Sequence, residues 1–140
     1  MSTCTSGSCI FIECDSPWTS IAIDSVYTYN NIDNVTLSEI ALPENTSMHI
    51  TSRILAVRRG GTAGAVGETW QYTAVTRAKN IAGVVTVSAP IFTTFLDTAE
   101  TIVTYIAGVN SVIINLVGAA DKDIFWVGKS ELIKVPYSAT

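Results

Sequence analysis

The sequence predicts an all-β fold, a two-sheet antiparallel sandwich of jelly-roll type with an extended N-terminal arm, and three observations carry that prediction. Of the 140 residues, 16 are Ile, 14 Val and 18 Thr against only 6 Leu, a bias toward side chains that suit a pleated surface and crowd a helix. Turn chemistry cuts the chain into short pieces at Tyr29-Asn30-Asn31, Pro43-Glu44-Asn45, Gly60-Gly61, Ala89-Pro90, Gly108 to Ser111 and Gly118 to Asp121, the spacing of strands in a sandwich or jelly roll. No stretch sustains a 3.6-residue apolar period, so helices are expected to be short or absent.

Composition bounds the problem before any motif is read. With 48% hydrophobic and 14% charged residues the chain is too apolar to be disordered, and its length suffices for one packed domain. We expect residues 1–45 to form an N-terminal arm and the first strands, serving as an anchor or swap segment, and residues 46–140 to form the sandwich body.

The arm comes first in the chain. Met1 to Asp15 holds no base and only the short apolar run Ile10-Phe11-Ile12, unlike a secretory signal, so synthesis and assembly in a host cytoplasm are expected. Cys4, Cys9 and Cys14 are five apart, a spacing that no regular element gathers on one face. They lack the paired spacing of a zinc site, and His49 is distant. Reduced thiols in an extended arm and an inter-subunit contact both remain open readings. Trp18, after Pro17 at the end of the arm, and the pair Arg58-Arg59 are the other candidate partner-binding residues.

Strands are expected near 20–29 and 35–42, and then in a pair whose alternation is clear. Met48, Ile50, Ser52 and Ile54 fall on one face, with His49, Thr51 and Arg53 on the other; Trp70, Tyr72, Ala74 and Ala78 oppose Gln71, Thr73, Val75, Arg77 and Lys79. The glycine-rich stretch 60–67 should join these two strands. Further strands are expected at 82–88, 101–107, 111–117, 123–128 and 131–135, about nine in all, with Trp70, Tyr72, Ile113 and Trp126 in the core. Thr101 to Ala120 runs 20 residues without a charge, long enough for a membrane helix. Turn residues at its midpoint and β-branched flanks instead make it two strands and a turn, and no membrane partner is expected.

Catalytic and cofactor signatures are not found. The run Gly60 to Gly67 lacks the Gly-Lys-Ser/Thr ending of a phosphate loop and leads into a strand, so we read it as a connection. His49 has no nucleophile motif beside it, while paired carboxylates would leave no local mark. Trp18, Trp70 and Trp126 are the residue type for stacking on sugars, although alternation puts the last two in the core. Asn34-Val35-Thr36 and Asn45-Thr46-Ser47 match the glycosylation sequon, and the absence of a signal makes them coincidental. The sequence reading is thus of a protein that is not an enzyme, with no metal and no cofactor.

Charge is segregated along the chain. Residues 1–52 carry six acids and no base, residues 53–79 five bases and one acid, and between Asn80 and Ala120 only Asp97 and Glu100 are charged. The acidic first third either meets the basic hairpin, within or between subunits, or faces solvent beside it. The excess of acid over base argues against nucleic acid as a partner. A monomer normally guards exposed β surface with charge, so the sparsely charged region points to self-association with closed symmetry.

From Ile50 to Val135 the order of features resembles small β-sandwich structural proteins of tailed-bacteriophage virions, the capsid-decorating, head-fibre and tail-fibre head modules. The residues carrying the resemblance are Arg58 to Thr62, Ala65-Val66-Gly67-Glu68, Lys79 to Gly83, Asp97 to Thr101, Ser111 to Lys122 and Ile124-Phe125-Trp126-Val127. The resemblance implies a non-enzymatic virion protein, a capsid decoration or head-fibre component that forms a homotrimer and docks on the major capsid or tail proteins. The alternative is a tail-associated or host-glycan-binding module. No catalytic residue is implied.

Overall fold

The computed structural model describes residues 18–30 and 34–137. Nine strands run through them: β1 Thr19–Tyr29, β2 Val35–Ala41, β3 Thr46–Gly61, β4 Thr69–Ile81, β5 Val84–Val87, β6 Ile91–Leu96, β7 Ile102–Gly108, β8 Ser111–Val117 and β9 Lys122–Pro136. They form two antiparallel sheets, a six-stranded one in the order β1-β9-β3-β4-β5, with β6 also paired to β4, and a three-stranded one in the order β2-β8-β7. The expected sandwich is therefore present. β1 and β2, from the N-terminal segment, pair with β9 and β8 of the same chain.

The alternation read from β3 and β4 sets the inner face of the large sheet. Met48, Ile50, Ile54, Trp70, Tyr72, Ala74 and Ala78 are buried there, with Ile124, Trp126 and Leu132 from β9, against Leu37, Ile40, Val103, Tyr105, Val112, Ile114 and Leu116 of the small sheet. Each fully buried large apolar side chain is worth roughly 1.5–3 kcal/mol. The indole N–H groups are matched: Trp126 donates to Thr28 Oγ1 at 2.8 Å and Trp70 to Thr98 Oγ1 at 3.0 Å. Tyr72 Oη lies 3.0 Å from the Thr101 carbonyl that accepts its proton.

Three details differ from the sequence reading. Ile113 lies on the outward side of β8, between buried Val112 and Ile114; β8 is apolar on both sides, so its phase is set by packing and not by pattern. β6 is absent from the strands expected, because Ile91 to Leu96 shows no alternation of apolar and polar residues; all six are exposed. The strands expected at 123–128 and 131–135 are one, β9, because Gly128-Lys129-Ser130 carries no turn. Instead Gly128 makes room: a Cβ there would sit 2.6 Å from Leu37 Cδ2. Leu37 is the extra residue of a bulge in β2, and it enters the core where the large sheet is lined by Gly128 and by Ser52 and Ser130, whose hydroxyls bond each other at 2.8 Å.

The stretch 101–120 is a hairpin, β7 and β8, as expected, and no helix among the described residues is long and apolar enough to cross a membrane.

Gly128→Ala is expected to cost about 1–3 kcal/mol by overpacking against Leu37, measured by chemical denaturation. In a Leu37→Ala background most of that penalty should vanish; equal penalties in both backgrounds would show that the contact does not set the spacing between the sheets.

Candidate functional site

The outer face of the large sheet, turned away from the small one, is organised by strand register. Tyr27, Phe125 and Val57 share one cross-strand row; Val127, Leu55, Gln71 and Phe95 the next; then Ile23, Lys129, Arg53, Thr73 and Thr93; then Ile21, Glu131, Thr51, Val75 and Ile91. Much of its apolar content is exposed, including Ile23 at 68%, Phe95 at 67% and Ile91 at 75%.

At one end the face carries an aromatic shelf. Tyr27 and Tyr29, two apart on β1 and so on one side, stack with ring centroids 5.6 Å apart and planes at 10°, and Phe125 lies 4.8 Å from Tyr27. Arg59 is the additional residue where the β3–β9 register shifts between Arg58 and Gly60, a bulge that re-aims it. Its guanidinium sits 4.8 Å from the Phe125 centroid, with Nη1 3.4 Å from Tyr27 Oη. Tyr29 is 66% exposed. A hollow of about 230 Å3 opens beside it, lined by Asn30, Thr62, Asp121 and Asp123. Farther along lies a wider groove of about 540 Å3, with Leu55 and Val127 as apolar lining and Arg53, Gln71, Thr73 and Lys129 as polar lining. A ring stack, an apolar floor and flanking hydrogen-bonding groups suit a polyhydroxylated ligand with apolar C–H faces.

The candidate residues named from sequence do not gather. Cys4, Cys9 and Cys14 lie outside the described residues. Trp18 stands before β1 at the opposite end of the sheet, half exposed, its carbonyl accepting from Lys134 N at 2.7 Å. Arg58 and Arg59 have separate tasks: Arg58 bonds the carbonyls of Ala63 at 2.8 Å and Gly61 at 3.0 Å, holding the glycine connection, while Arg59 belongs to the shelf. Tyr27, Tyr29 and Phe125 were missed. The Tyr-Thr-Tyr spacing beside a turn was the available signal, but Phe125 joins it only through the β1–β9 register. Among the described residues, the ion pairs join Arg53 to Glu131 and Lys122 to Glu68 and Glu100, so none joins the acidic first third to the basic hairpin.

No protein-family model and no curated protein matches the chain. Among solved structures the fold matches part of the tailspike protein of Acinetobacter baumannii phage AM24, with a TM-score of 0.56 and 11% identity over 87% of this chain and 27% of that one. Weaker likenesses are to the tailspike protein of Acinetobacter baumannii bacteriophage Fri1, a capsular polysaccharide depolymerase (TM-score 0.40, 8% identity, 86% of this chain and 20% of that one), and to the Acinetobacter phage vB_ApiP_P1 tailspike protein (0.38, 14%, 81% and 21%). These are phage tail proteins. The chain spans only 20–27% of their length, and at such identities the likeness is one of fold. None of the three is a capsid-decorating or head-fibre protein, so that part of the expectation finds no support. The expectation that the chain is not an enzyme is withdrawn: one of these tailspikes is a capsular polysaccharide depolymerase, and the absence of a motif excludes no enzyme. The sequence reading erred by taking a missing motif as informative, when carboxylates that converge only in space leave none.

Behind the shelf, one buried cation ties three connections together. Lys122 Nζ lies 2.8 Å from Glu100 Oε2, 3.2 Å from Glu68, and 5.4 Å from the centre of the Trp70 ring. Thr98 Oγ1 accepts from the Trp70 indole and donates to Glu100 at 2.9 Å. The Lys122 bond, and then that of Thr98, hold the Glu100 carboxyl below the ordinary carboxylate range; Glu100 foremost, with Glu68, holds Lys122 above the ordinary lysine range despite desolvation. The Glu100 contribution to stability is therefore complete above its unfolded value and lost as pH falls through the depressed one. That of Lys122 is complete below the ordinary lysine value and lost only as pH rises through the raised one. An acid titration followed by tryptophan fluorescence should show a transition below the ordinary carboxylate range that Glu100→Gln abolishes; an unchanged transition in that variant would assign it to another carboxylate.

Proposed function

We propose that the chain is a tail-associated module of a bacteriophage virion that binds a host glycan along the outer face of its large sheet and self-associates, as a homotrimer, to do so. The single observation that carries the binding reading is the stack of Tyr27, Tyr29 and Phe125 with Arg59, whose outer ring, Tyr29, is exposed. A folded chain ordinarily buries such rings or uses them, and function is better argued from a site than from a fold. The likeness of fold to part of the phage AM24 tailspike protein is consistent with a tail-associated module.

Self-association rests on the side of the sandwich formed by β6 and β7. Ile91, Phe92, Phe95 and Leu96 of β6 and Ile102 and Ile106 of β7 are all exposed, and neither strand carries a charge. An uncharged, solvent-facing edge strand is a template for pairing. At the other side Ile21 and Ile23 of β1 are exposed. Contact between these unlike sides is heterologous, and heterologous contacts that close give rings.

Two outcomes test the proposal. On an array of bacterial surface polysaccharides the chain should bind saturably, and Tyr29→Ala should weaken binding about tenfold, roughly 1.4 kcal/mol, while leaving the denaturation midpoint unchanged; no binding to any glycan would sink the reading. By light scattering the native chain should have a discrete multiple of the single-chain mass that Phe95→Glu reduces to one. A wild-type monomer at high concentration would remove the basis for assembly.

A further inference from the structure

The basic residues of this acidic chain are not scattered. Arg53, Arg59, Arg77, Lys79 and Lys129 all stand on the outer face of the large sheet, against Glu131 and, at the aromatic end, Asp123. The chain as a whole has a net charge of −4, so the fold sorts a surplus of positive charge onto the one face that carries the shelf and the groove.

Within that face the arrangement opposes stability. Arg53 and Lys129 are direct cross-strand partners, with Cβ atoms about 5 Å apart as antiparallel geometry requires, and like charges so placed repel. Glu131 engages Arg53 at 2.6 Å, and among the described residues nothing neutralises Lys129. Arg77 and Lys79 stand two apart on the same side of β4, and Arg77 donates to the Ser88 hydroxyl at 3.2 Å. Neutral Thr or Gln would pair equally well on these strands without repulsion. An anion above the face removes the conflict.

We propose that the glycan bound along this face is acidic, a polysaccharide carrying carboxylate-bearing sugars whose charges seat between Lys129 and Arg53 and toward Arg77. The inference rests on the glycan-binding reading above and narrows it. Leu55 and Val127 supply a floor for apolar sugar faces and Gln71 and Thr73 meet hydroxyls, in a groove whose 540 Å3 falls within the roughly 300–1,000 Å3 of ligand clefts. The cations add charge-assisted bonds to carboxylates, bidentate in the case of arginine.

The test uses the full 140-residue chain and an array of bacterial capsular polysaccharides, acidic and neutral, with each acidic one also present in carboxyl-reduced form. Expected is saturable binding confined to the acidic forms, lost on carboxyl reduction and weakened as salt is raised from about 50 to about 500 mM. Lys129→Gln should lower affinity about tenfold or more, and Arg77→Gln, in a separate part of the face, should lower it independently. Equal binding of acidic and carboxyl-reduced forms, untouched by Lys129→Gln, overturns this inference and leaves the glycan-binding reading standing. Binding to no glycan overturns both. Displacement of a bound acidic polysaccharide by a peptide of residues 1–17, with the peptide bound more tightly than any glycan, assigns the cationic face to another copy's acidic segment and overturns the inference as well.

Discussion

The antiparallel pairing of β3 with β9 underlies every other placement in the molecule. It runs from Thr46 opposite Pro136 to Gly61 opposite Lys122, so these two strands form the spine on which β1 and β4 hang. Side chains in a strand alternate between faces, and a slip of one residue would exchange core and surface along the whole spine. At its middle, position 128 has no side chain, which leaves room for Leu37 between the sheets. Near its end the register shifts by one residue at Arg59. That local break separates two adjacent arginines: Arg58 turns back to bind loop carbonyls and Arg59 lies over Phe125. The core and the aromatic shelf thus have a common origin in one ladder.

Buried polar side chains pin both ends of the sandwich. At one end Lys122 joins the connections around Glu68 and Glu100. At the other, fully buried Asn80 donates to the Leu42 carbonyl at 2.8 Å and to Asn110 Oδ1 at 2.9 Å, while its own oxygen accepts from Gly83 N at 3.0 Å. Removing either partner of such a contact strands a desolvated group, which costs more than the bond contributes. The connections are therefore held by satisfied polar contacts, and the sheet between them presents its outer face on fixed strands, the footing that precise sites require.

What could be read from the sequence follows from where polarity alternates. Through the paired stretch of β3 and β4 the charged residues fall on one side only, and the faces and pairing are legible directly. In β8 and β6 the punctuation is missing, so the phase of Ile113 and the existence of β6 depended on neighbours distant in the chain. The turn at Ala82-Gly83 was hidden for a related reason. Ala82 holds φ of 52° with its N–H bonded to Asn45 Oδ1 at 3.2 Å, so Asn45 and Asn80 supply much of the turn chemistry beside Gly83. The candidate site was the least legible part: Tyr27, Arg59 and Phe125 are widely separated in sequence, and no local pattern anticipates a stack that register alone creates.

The exposed features of the face and of its edges belong together physically. A cationic, partly apolar sheet face is a poor surface for a free monomer, since its apolar area invites collapse while its like charges repel. Repulsion across Lys129 and Arg53 discourages two such faces from packing on each other, which leaves the uncharged β6–β7 side as the surface where copies can meet without burying unpaired charge. Charge on the face and its absence along the edge thus divide the labour. In the proposed assembly, contact through the edges would keep each face open to solvent, and the rows that hold Tyr27 and Lys129 would continue onto the next copy. A long polymer with regularly spaced charge is the ligand that gains most from such continuity, because each repeat it lays down meets another set of the same groups at high effective concentration.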